Sequence, residues 1–339
     1  MCFSLTNSSF QTALEMISLS DLLQMDNTYL SRVKLRRQLM DDHPEATLAC
    51  NDVAGPAALE LYGWLVGTYL PKRFPTCFSL VKQGTEAESK HDSANPTQQP
   101  THLLNRITSE HIPLRCTHPL TALRTLSSHI DTDFLILLPK HDEPKTADTT
   151  TPQHPPYHLQ AFATTFPSGF STLSKLSLPL SAIHAPVPSY MPKLSLSMDR
   201  FFARLPLGSL ARRANWTITT TPALFVQSGT HMHSTSQSSS PQQAEAERAA
   251  SIAAQKQSLD IEQMRLRCEL QTLHRLPRTG ALVFAFKTYQ YELGEVKAEG
   301  SGEALAEATE GFAKGSVPEM SVYKREAVWG DCVREFLRR

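Results

Sequence analysis

The sequence predicts an α+β protein in which helices precede and follow a set of mainly antiparallel strands. Three observations predict this class: helix-length apolar or amphipathic segments at both ends, short β-branched and aromatic runs between them, and a hydrophobic content of 40% that can form a core. The 339 residues alone suggest about two domains. Polar segments that do not contribute to a core account for the length beyond a single domain, so we expect one large domain.

Each element is predicted from its periodicity and its flanking residues. Helices are expected over 20–40, 54–70 (ended by Pro71), 120–126, 196–205 and 323–337, and strands over 134–138, 157–165, 215–221 and 281–293. The segment 258–273 is predicted to be a strong amphipathic helix that stops before Pro277. Its apolar residues Ile261, Met264, Leu266, Leu270 and Leu273 fall on or near one helical face.

Three segments differ from the rest by being polar and lacking hydrophobic periodicity. They cover residues 82–102, 140–156 and 227–256 and are rich in Ser, Thr, Gln, Glu or Pro. Such segments cannot bury enough apolar area to offset the entropy of ordering them. We therefore expect disordered surface insertions there. Residues 1–20 are expected to form a tail, and residues 21–339 a single domain.

Charge and cysteine usage exclude several functions. Lys plus Arg and Asp plus Glu both number 33, and this zero net charge argues against nucleic-acid binding. No apolar run approaches the roughly 20 residues that span a bilayer. The first 21 residues contain no Lys or Arg, which argues against secretory and mitochondrial leaders and favours a cytoplasmic location. Six scattered cysteines without a C-x-x-C pair do not support an iron–sulfur site on this chain.

His184 is the strongest metal-ligand candidate in the sequence. It follows an apolar residue and precedes Pro186 and Pro188, which restrict the backbone and remove amide donors. A histidine on such a stiff, apolar, non-helical segment is well placed to offer a neutral imidazole to a buried metal or haem iron. The alternative is a core histidine that is bonded to a backbone carbonyl.

A second candidate cluster covers residues 269–280 and the strand predicted after it. It combines Glu, Gln, Arg and His side chains with the strand residues Phe284, Phe286, Lys287, Tyr289 and Tyr291. Arginine binds carboxylates through paired hydrogen bonds, so the mixture suits a planar apolar ligand with acidic edges. The alternative is a helix cap and a strand edge whose charges are solvated.

Several motifs together resemble the haem-dependent oxidative N-demethylase alpha-subunit-like family, whose fungal members are sometimes called HRQ family proteins. The resemblance covers about residues 22–337 apart from the polar segments. It rests on IHAPVP at 183–188, RANWTI at 213–218 and ELQTLHRLPRTGALVFAFKTYQYEL at 269–293, with support from MDNTYLSRVKLRRQL, ALELYGWLVGTYLPKRFP and YKREAVWGDCV. Relatives often have Arg-Glu-Arg-Gln-Thr-Leu where Cys268 and Leu270 flank Glu269 here.

The resemblance implies a PAS-like antiparallel sheet that holds haem b. It also implies oxidation of a small methylated amine such as dimethylamine with O2, which yields a primary amine and formaldehyde. Electrons would come from NADPH through flavin and a 2Fe–2S centre. Because this chain has neither an iron–sulfur cysteine set nor a nucleotide-binding loop, we expect those cofactors on a separate reductase. The alternative is a non-catalytic PAS-like sensor that binds haem or another small ligand.

The resemblance and the residue chemistry together nominate a set of site residues. His184 is expected to ligate the iron, which makes it both the metal ligand and a cofactor-binding residue. Arg275, Lys287 and Gln271 are expected to contact the cofactor. Glu269 and Tyr289 are expected to be catalytic, with Glu269 balancing the charge of a cationic amine.

Overall fold

The computed structural model describes residues 14–82, 99–140, 155–189, 195–232, 241–315 and 317–339. The first 13 residues of the expected tail lie outside the described residues, as do residues 83–98, 141–154 and 233–240 of the expected insertions. The described chain combines helices with antiparallel sheet in one large domain, as the sequence predicts.

Ten strands in the described ranges form two antiparallel sheets. In chain order they are β1 Glu15–Met16, β2 Leu48–Cys50, β3 Phe78–Val81, β4 His102–Asn105, β5 Glu110–Pro113, β6 Asp133–Pro139, β7 Tyr157–Ala163, β8 Leu210–Thr219, β9 Arg265–Arg275 and β10 Leu282–Glu292. The main sheet has the order β1-β8-β9-β10-β6-β7-β2, and the small sheet the order β3-β4-β5. The strands predicted at 134–138, 157–165 and 281–293 are confirmed as β6, β7 and β10, whereas 215–221 is only the later part of β8.

The described helices lie before β6, in the connections from β7 to β8 and from β8 to β9, and after β10. In chain order they are α1 Tyr29–Asp42, α2 Pro44–Thr47, α3 Gly55–Trp64, α4 Leu70–Arg73, α5 Pro119–His129, α6 Leu180–Ile183, α7 Ser195–Arg204, α8 Pro241–Gln257, α9 Leu293–Ala298, α10 Gly302–Lys314, α11 Glu319–Tyr323 and α12 Glu326–Arg338. Short 3-10 turns occur at Leu19–Asp21, Asp52–Ala54, Leu173–Lys175 and Ile261–Gln263. No helix within these described ranges is long and apolar enough to cross a membrane.

One helix prediction and one expectation of disorder differ from the structure at specific positions. A π-helical turn, Leu65–Tyr69, joins α3 to α4, so the helical path continues past Pro71 instead of ending there. Pro71 lies in the first turn of α4, where a missing amide donor is tolerated. In the segment 227–256, expected to be disordered, α8 occupies the described residues from 241 onward.

The predicted helix over 258–273 is wrong, because this segment contains strand β9. The strand is nearly buried on both faces, so its sequence lacks the polar and apolar alternation of a half-exposed strand. Leu266 and Leu270 lie on one face and Leu273 on the other, and their spacing of three and four residues imitates a helix. Sequence periodicity alone cannot separate these two cases.

The two faces of the main sheet are covered by different parts of the chain. The front face, which carries Leu273 and Leu282, packs against α6 and α7 in the β7–β8 connection. The back face packs against α1, α3 and α5 on one half and against the C-terminal helices on the other. Successive residues of β9 alternate between these faces, so this one strand contributes to both.

Candidate functional site

A row of polar side chains crosses the front face on β8 and β9. Strand register places Glu269 opposite Asn215, and Gln271 opposite Arg213. Gln271 Nε2 donates to Glu269 Oε2 at 2.9 Å, and Arg213 Nε donates to Gln271 Oε1 at 2.6 Å. Asn215 Nδ2 donates to the same Glu269 oxygen at 3.4 Å. Glu269 is only 9% exposed, so this hydrogen-bonded row is part of the interior.

Three cations of the described chain have Glu269 as their only carboxylate neighbour, and we call Glu269, Lys175, Arg213 and Lys324 the Glu269 cluster. Arg267 also interacts with Glu269 but has Asp133 as a second carboxylate neighbour, so it is not counted in the cluster. Burial lowers the pKa of Lys175 and the pKa of Lys324 to about 8, and it also lowers the pKa of Arg213. Lys324 Nζ donates to the Trp216 carbonyl at 2.6 Å. With all four groups ionised, three positive charges and one negative charge leave a surplus of two positive charges.

His184 lies at the end of α6, on the connection that covers the front face. Its Nδ1 is 2.8 Å from the Leu180 carbonyl oxygen, and because a carbonyl only accepts, Nδ1 must carry the proton. The Nε2 atom then has the lone pair, which is the usual arrangement of a metal-ligating histidine. Burial lowers the pKa of His184, and the cations Lys175 and Arg213 lower it further. The imidazole is therefore neutral at pH 7.

His184 and Glu269 belong to one neighbourhood. Lys175 and Arg213 each interact electrostatically with both of these residues. Apolar side chains that are only partly buried pack on the same front-face core: Leu135, Leu176, Ile183, Met198, Phe201 and Phe284. The front face therefore combines a neutral imidazole, surplus positive charge and an incompletely covered apolar wall.

A tight turn at Gly169 supports this region. Gly169 has φ of +77°, and a Cβ added there would clash with the side chain of Thr230. Its amide donates to the Val226 carbonyl at 2.7 Å, which ties the start of the β7–β8 connection to the chain after β8. Arg267 donates to the Phe166 carbonyl at 2.7 Å and the Leu224 carbonyl at 3.1 Å, holding the same two segments against β9.

Arg275 lies at the far end of β9, and its guanidinium is hydrogen-bonded to other groups of the protein. Its five N–H donors are directed at the carbonyl oxygens of Leu205, Phe202, Ala203 and Gly280 and at the Tyr157 hydroxyl. These contacts attach α7 to the sheet. Arg275 thus has a structural task that leaves no donor for the predicted cofactor contact.

Lys287 and Tyr289 lie on the back face, away from Glu269. Register pairs Glu269 with Thr288, so the neighbouring positions 287 and 289 point to the other side of the sheet. Tyr289 packs among the C-terminal helices. Lys287 forms ion pairs with Asp131 and, at 3.2 Å, with Asp26. The structure therefore brings together His184, Glu269 and Gln271 but not Arg275, Lys287 and Tyr289.

Lys287 belongs to a buried ionic group that we call the α1 network. It joins α1 to the start of β6 and consists of Asp26, Arg32, Arg36, Asp131, Asp133 and Lys287. Arg36 is 0% exposed, with Nε 3.1 Å from Asp131 and Nη1 2.6 Å from Asp133. Asp133 also accepts the amides of Thr165 and Phe166 at 2.9 and 3.0 Å. Three cations meet three carboxylates here.

Sequence reasoning missed Lys175, Arg213 and Lys324 as members of the site. Their positions in the chain are far apart. Arg213 reaches Glu269 through the pairing of β8 with β9, Lys175 through the connection between β7 and β8, and Lys324 through the packing of the C-terminal segment. A signal was present, because Arg213 and Asn215 lie in RANWTI, and Lys324 lies in YKREAVWGDCV. Both motifs carry the resemblance described above.

Comparison with known proteins gives one family. The family model described as "Haem-dependent oxidative N-demethylase, alpha subunit-like" matches residues 13–334, which is nearly the whole chain. No protein with a curated description matches the chain significantly.

Proposed function

Because the chain belongs to the haem-dependent oxidative N-demethylase, alpha subunit-like family, we propose that it binds haem b on the front face and oxidatively demethylates a small methylated amine. O2 is the oxidant, formaldehyde the second product, and a separate NADPH-dependent flavin and 2Fe–2S reductase the electron source. The observation that carries this proposal is the combination of a neutral His184 with the surplus charge of the Glu269 cluster.

The charges of the Glu269 cluster fit the two carboxylates of haem b. Buried charges without partners are costly, and a surplus of two positive charges is complemented by two negative ones. Lys175 and Arg213 interact with both His184 and Glu269, so they lie where carboxylates at the edge of a ligand held by His184 would meet them. The partly buried apolar side chains supply a wall for a planar, apolar ring system.

The protein residues divide the remaining tasks. When bound, haem supplies an iron centre for O2 chemistry. His184 offers Nε2 to that iron, and its Nδ1 hydrogen bond to the Leu180 carbonyl fixes the ring orientation. Glu269, held by Gln271 and Asn215, is the carboxylate that accepts an N–H group of the amine. The surrounding cations repel a protonated amine, and cofactor carboxylates beside them would offset that repulsion.

The PAS-like fold is part of the same proposal. Its support is the strand order β7-β6-β10-β9-β8 within the main sheet, together with a connection between β7 and β8 that carries α6 and α7 over one face. This connection also carries His184. The arrangement places a ligand between the sheet and its own crossing segment.

The test is the absorption spectrum of the purified full chain after haem supplementation. We expect a Soret band for the unaltered chain and for the exposed-histidine control His111→Ala. In His184→Ala the band should weaken or shift, and added imidazole should restore it. Absence of a Soret band in the unaltered chain contradicts the haem proposal, and an unchanged spectrum in His184→Ala contradicts the assignment of His184 as the iron ligand.

Turnover separates the enzyme from the alternative, a non-catalytic haem or small-ligand sensor. The cationic surroundings of Glu269 favour the sensor, because they disfavour a protonated amine in the empty site. Haem-loaded protein should release formaldehyde from dimethylamine with O2 and photoreduced flavin as the electron donor. Glu269→Gln should raise KM more than it lowers kcat. A haem spectrum without formaldehyde release supports the sensor.

A further inference from the structure

A cleft of about 590 Å³ opens at the end of the main sheet, where β8 begins and β9 ends. Its size is within the range of small-molecule sites. Trp64 and Thr68 line it, immediately before and within the π-helical turn Leu65–Tyr69, and such turns are frequent at functional sites. Glu269 lies five residues before the lining residue His274 on β9, roughly 16 Å along an extended strand, so the cleft is separate from the Glu269 cluster.

The charges that line the cleft leave a positive surplus. Arg275 and Arg278 are protonated at pH 7 and Glu60 supplies one carboxylate, so two positive charges and one negative charge leave a surplus of one. His274 adds no charge, because burial lowers its pKa to about 4. Within the described ranges the Arg275 guanidinium meets only carbonyl and hydroxyl oxygens, so no carboxylate compensates it.

Arg278 is the cation that a ligand can reach directly. Its side chain is 78% exposed, and its Nε is 3.6 Å from Glu60, too far for a hydrogen bond. Glu60 instead accepts the backbone amides of Arg278 and Thr279, both at 2.8 Å, which hold this carboxylate in place without the guanidinium. The N–H groups of the Arg278 side chain can therefore bind the carboxylate of a ligand in pairs.

The remaining walls are apolar and include an aromatic ring. Trp64 is half-buried, and its ring centroid lies 5.4 Å from that of His274 and 5.6 Å from that of Tyr69, in tilted contacts that hold the indole in place. The other apolar lining residues are Leu19, Leu210, Leu276 and Pro277. A planar apolar body would fill these walls, whereas an inorganic anion would leave them exposed to water.

We propose that this cleft binds a small monocarboxylate with an apolar aromatic body, of the aryl carboxylate class. The aromatic body packs against Trp64 and Leu276, and the carboxylate pairs with Arg278. The charge of Arg275 adds attraction without a hydrogen bond, because charges also act at a distance. One negative charge on the ligand offsets the surplus positive charge of the lining. The site does not depend on haem or on the proposed demethylation.

The probe is 2-naphthoate, titrated into the full haem-free chain by calorimetry at pH 7. The unaltered protein should bind it, and the uncharged isostere 2-naphthamide should bind roughly tenfold more weakly, because it cannot form a charged hydrogen bond. Arg278→Gln should weaken 2-naphthoate by a similar factor and leave 2-naphthamide nearly unchanged. The matched control is Arg339→Gln, at an arginine with 73% exposure after α12, which should bind 2-naphthoate as the unaltered chain does.

Two further variants locate the binding site. Thr68→Phe, at an exposed residue of the lining, fills the mouth of the cleft and should abolish 2-naphthoate binding. Lys175→Met, in the Glu269 cluster, should leave 2-naphthoate binding unchanged. A loss of binding in Lys175→Met but not in Arg278→Gln places the ligand on the front face and overturns the proposal. No binding to the unaltered chain at millimolar concentration, or equal affinity for 2-naphthoate and 2-naphthamide, also overturns it.

Discussion

The α1 network and the Glu269 cluster are both buried and both rich in arginine or lysine, yet their charge balance differs. In the α1 network three cations meet three carboxylates at distances that include 2.6 and 3.1 Å around Arg36. In the Glu269 cluster three cations share one carboxylate. The two groups lie near the same sheet, so burial alone does not explain the difference.

Under the proposed function, the difference separates a structural ionic group from a ligand-binding one. A network whose charges cancel within the chain is complete when the chain folds, and removing one member leaves a charge uncompensated. A cluster with surplus positive charge lacks a negatively charged partner. The lowered pKa values of its two lysines indicate that their charges are not fully compensated. Comparable substitutions in the two groups should therefore have different consequences.

The largest expected effect is the loss of a carboxylate from the α1 network. Asp133→Asn leaves the positive charge of the fully buried Arg36 only partly compensated. We expect the free energy of unfolding, measured by urea denaturation, to fall by about 3–5 kcal/mol. Glu269→Gln should cost less, about 1–2 kcal/mol, because two of its cationic neighbours are lysines that can lose a proton. Arginine cannot lose its proton in this way.

The control for both substitutions is Asp41→Asn, in an exposed ion pair with Arg124. Such surface pairs contribute about 0–1 kcal/mol, so the urea midpoint should hardly move. Equal losses for Asp133→Asn and Glu269→Gln contradict the distinction between the two groups.

The next effect is a pH dependence that only the Glu269 cluster should produce. Burial lowers the pKa of Lys175 and of Lys324 from 10.5 to about 8. Between pH 8 and pH 10.5 these lysines bind more protons in the unfolded chain than in the folded chain. The free energy of unfolding of the haem-free chain should therefore rise as pH rises from 8 to 10.5. Each lysine contributes about 2–3 kcal/mol to that rise.

Lys175→Met isolates this contribution from other groups that titrate in the same range. Urea unfolding at a series of pH values should show a smaller rise in the free energy of unfolding for this variant. The exposed-lysine control Lys72→Met should show the same rise as the unaltered chain. Haem should flatten the profile of the unaltered chain, because carboxylates beside the lysines restore their protons. An identical pH profile in Lys175→Met and Lys72→Met contradicts the surplus-charge interpretation.

The smallest effect concerns the turn that supports the front face. Gly169 and Gly300 both have left-handed φ values, +77° and +86°, but only at Gly169 would a Cβ meet another residue. Gly300→Ala should cost about 1–2 kcal/mol from backbone strain alone. Gly169→Ala adds the clash with Thr230, so we expect at least twice that loss together with a weaker haem spectrum. Equal losses in urea unfolding exclude a role for the contact.

The fold was predictable where local pattern and burial agree. The apolar run that forms β6 and the aromatic run that forms β10 are buried strands in the structure, and the apolar segment before Pro71 is helical. Strand β9 was not predictable, because both of its faces are buried and its polar residues Arg267, Glu269 and Gln271 point inward. Functional sites are where local patterns fail most often.

The site was predictable only in its local parts. The prolines after His184 and the polar run around Glu269 indicated ligand-binding residues, and these do lie in one neighbourhood. Residues close in sequence were wrongly grouped with them, because a strand sends neighbours such as Lys287 and Phe286 to opposite faces. The distant cations depend on long-range pairing that a single sequence does not reveal.

The edges of the main sheet offer few backbone groups for pairing with another chain. The outermost strands β1 and β2 have only two and three residues, and short edge strands give an approaching chain few backbone groups to pair with. Most of β8 extends beyond β1, and there Lys324 occupies the Trp216 carbonyl at 2.6 Å. A lysine on an edge carbonyl hinders the addition of a further strand. We therefore expect Lys324 to hinder strand addition at this edge in addition to carrying charge.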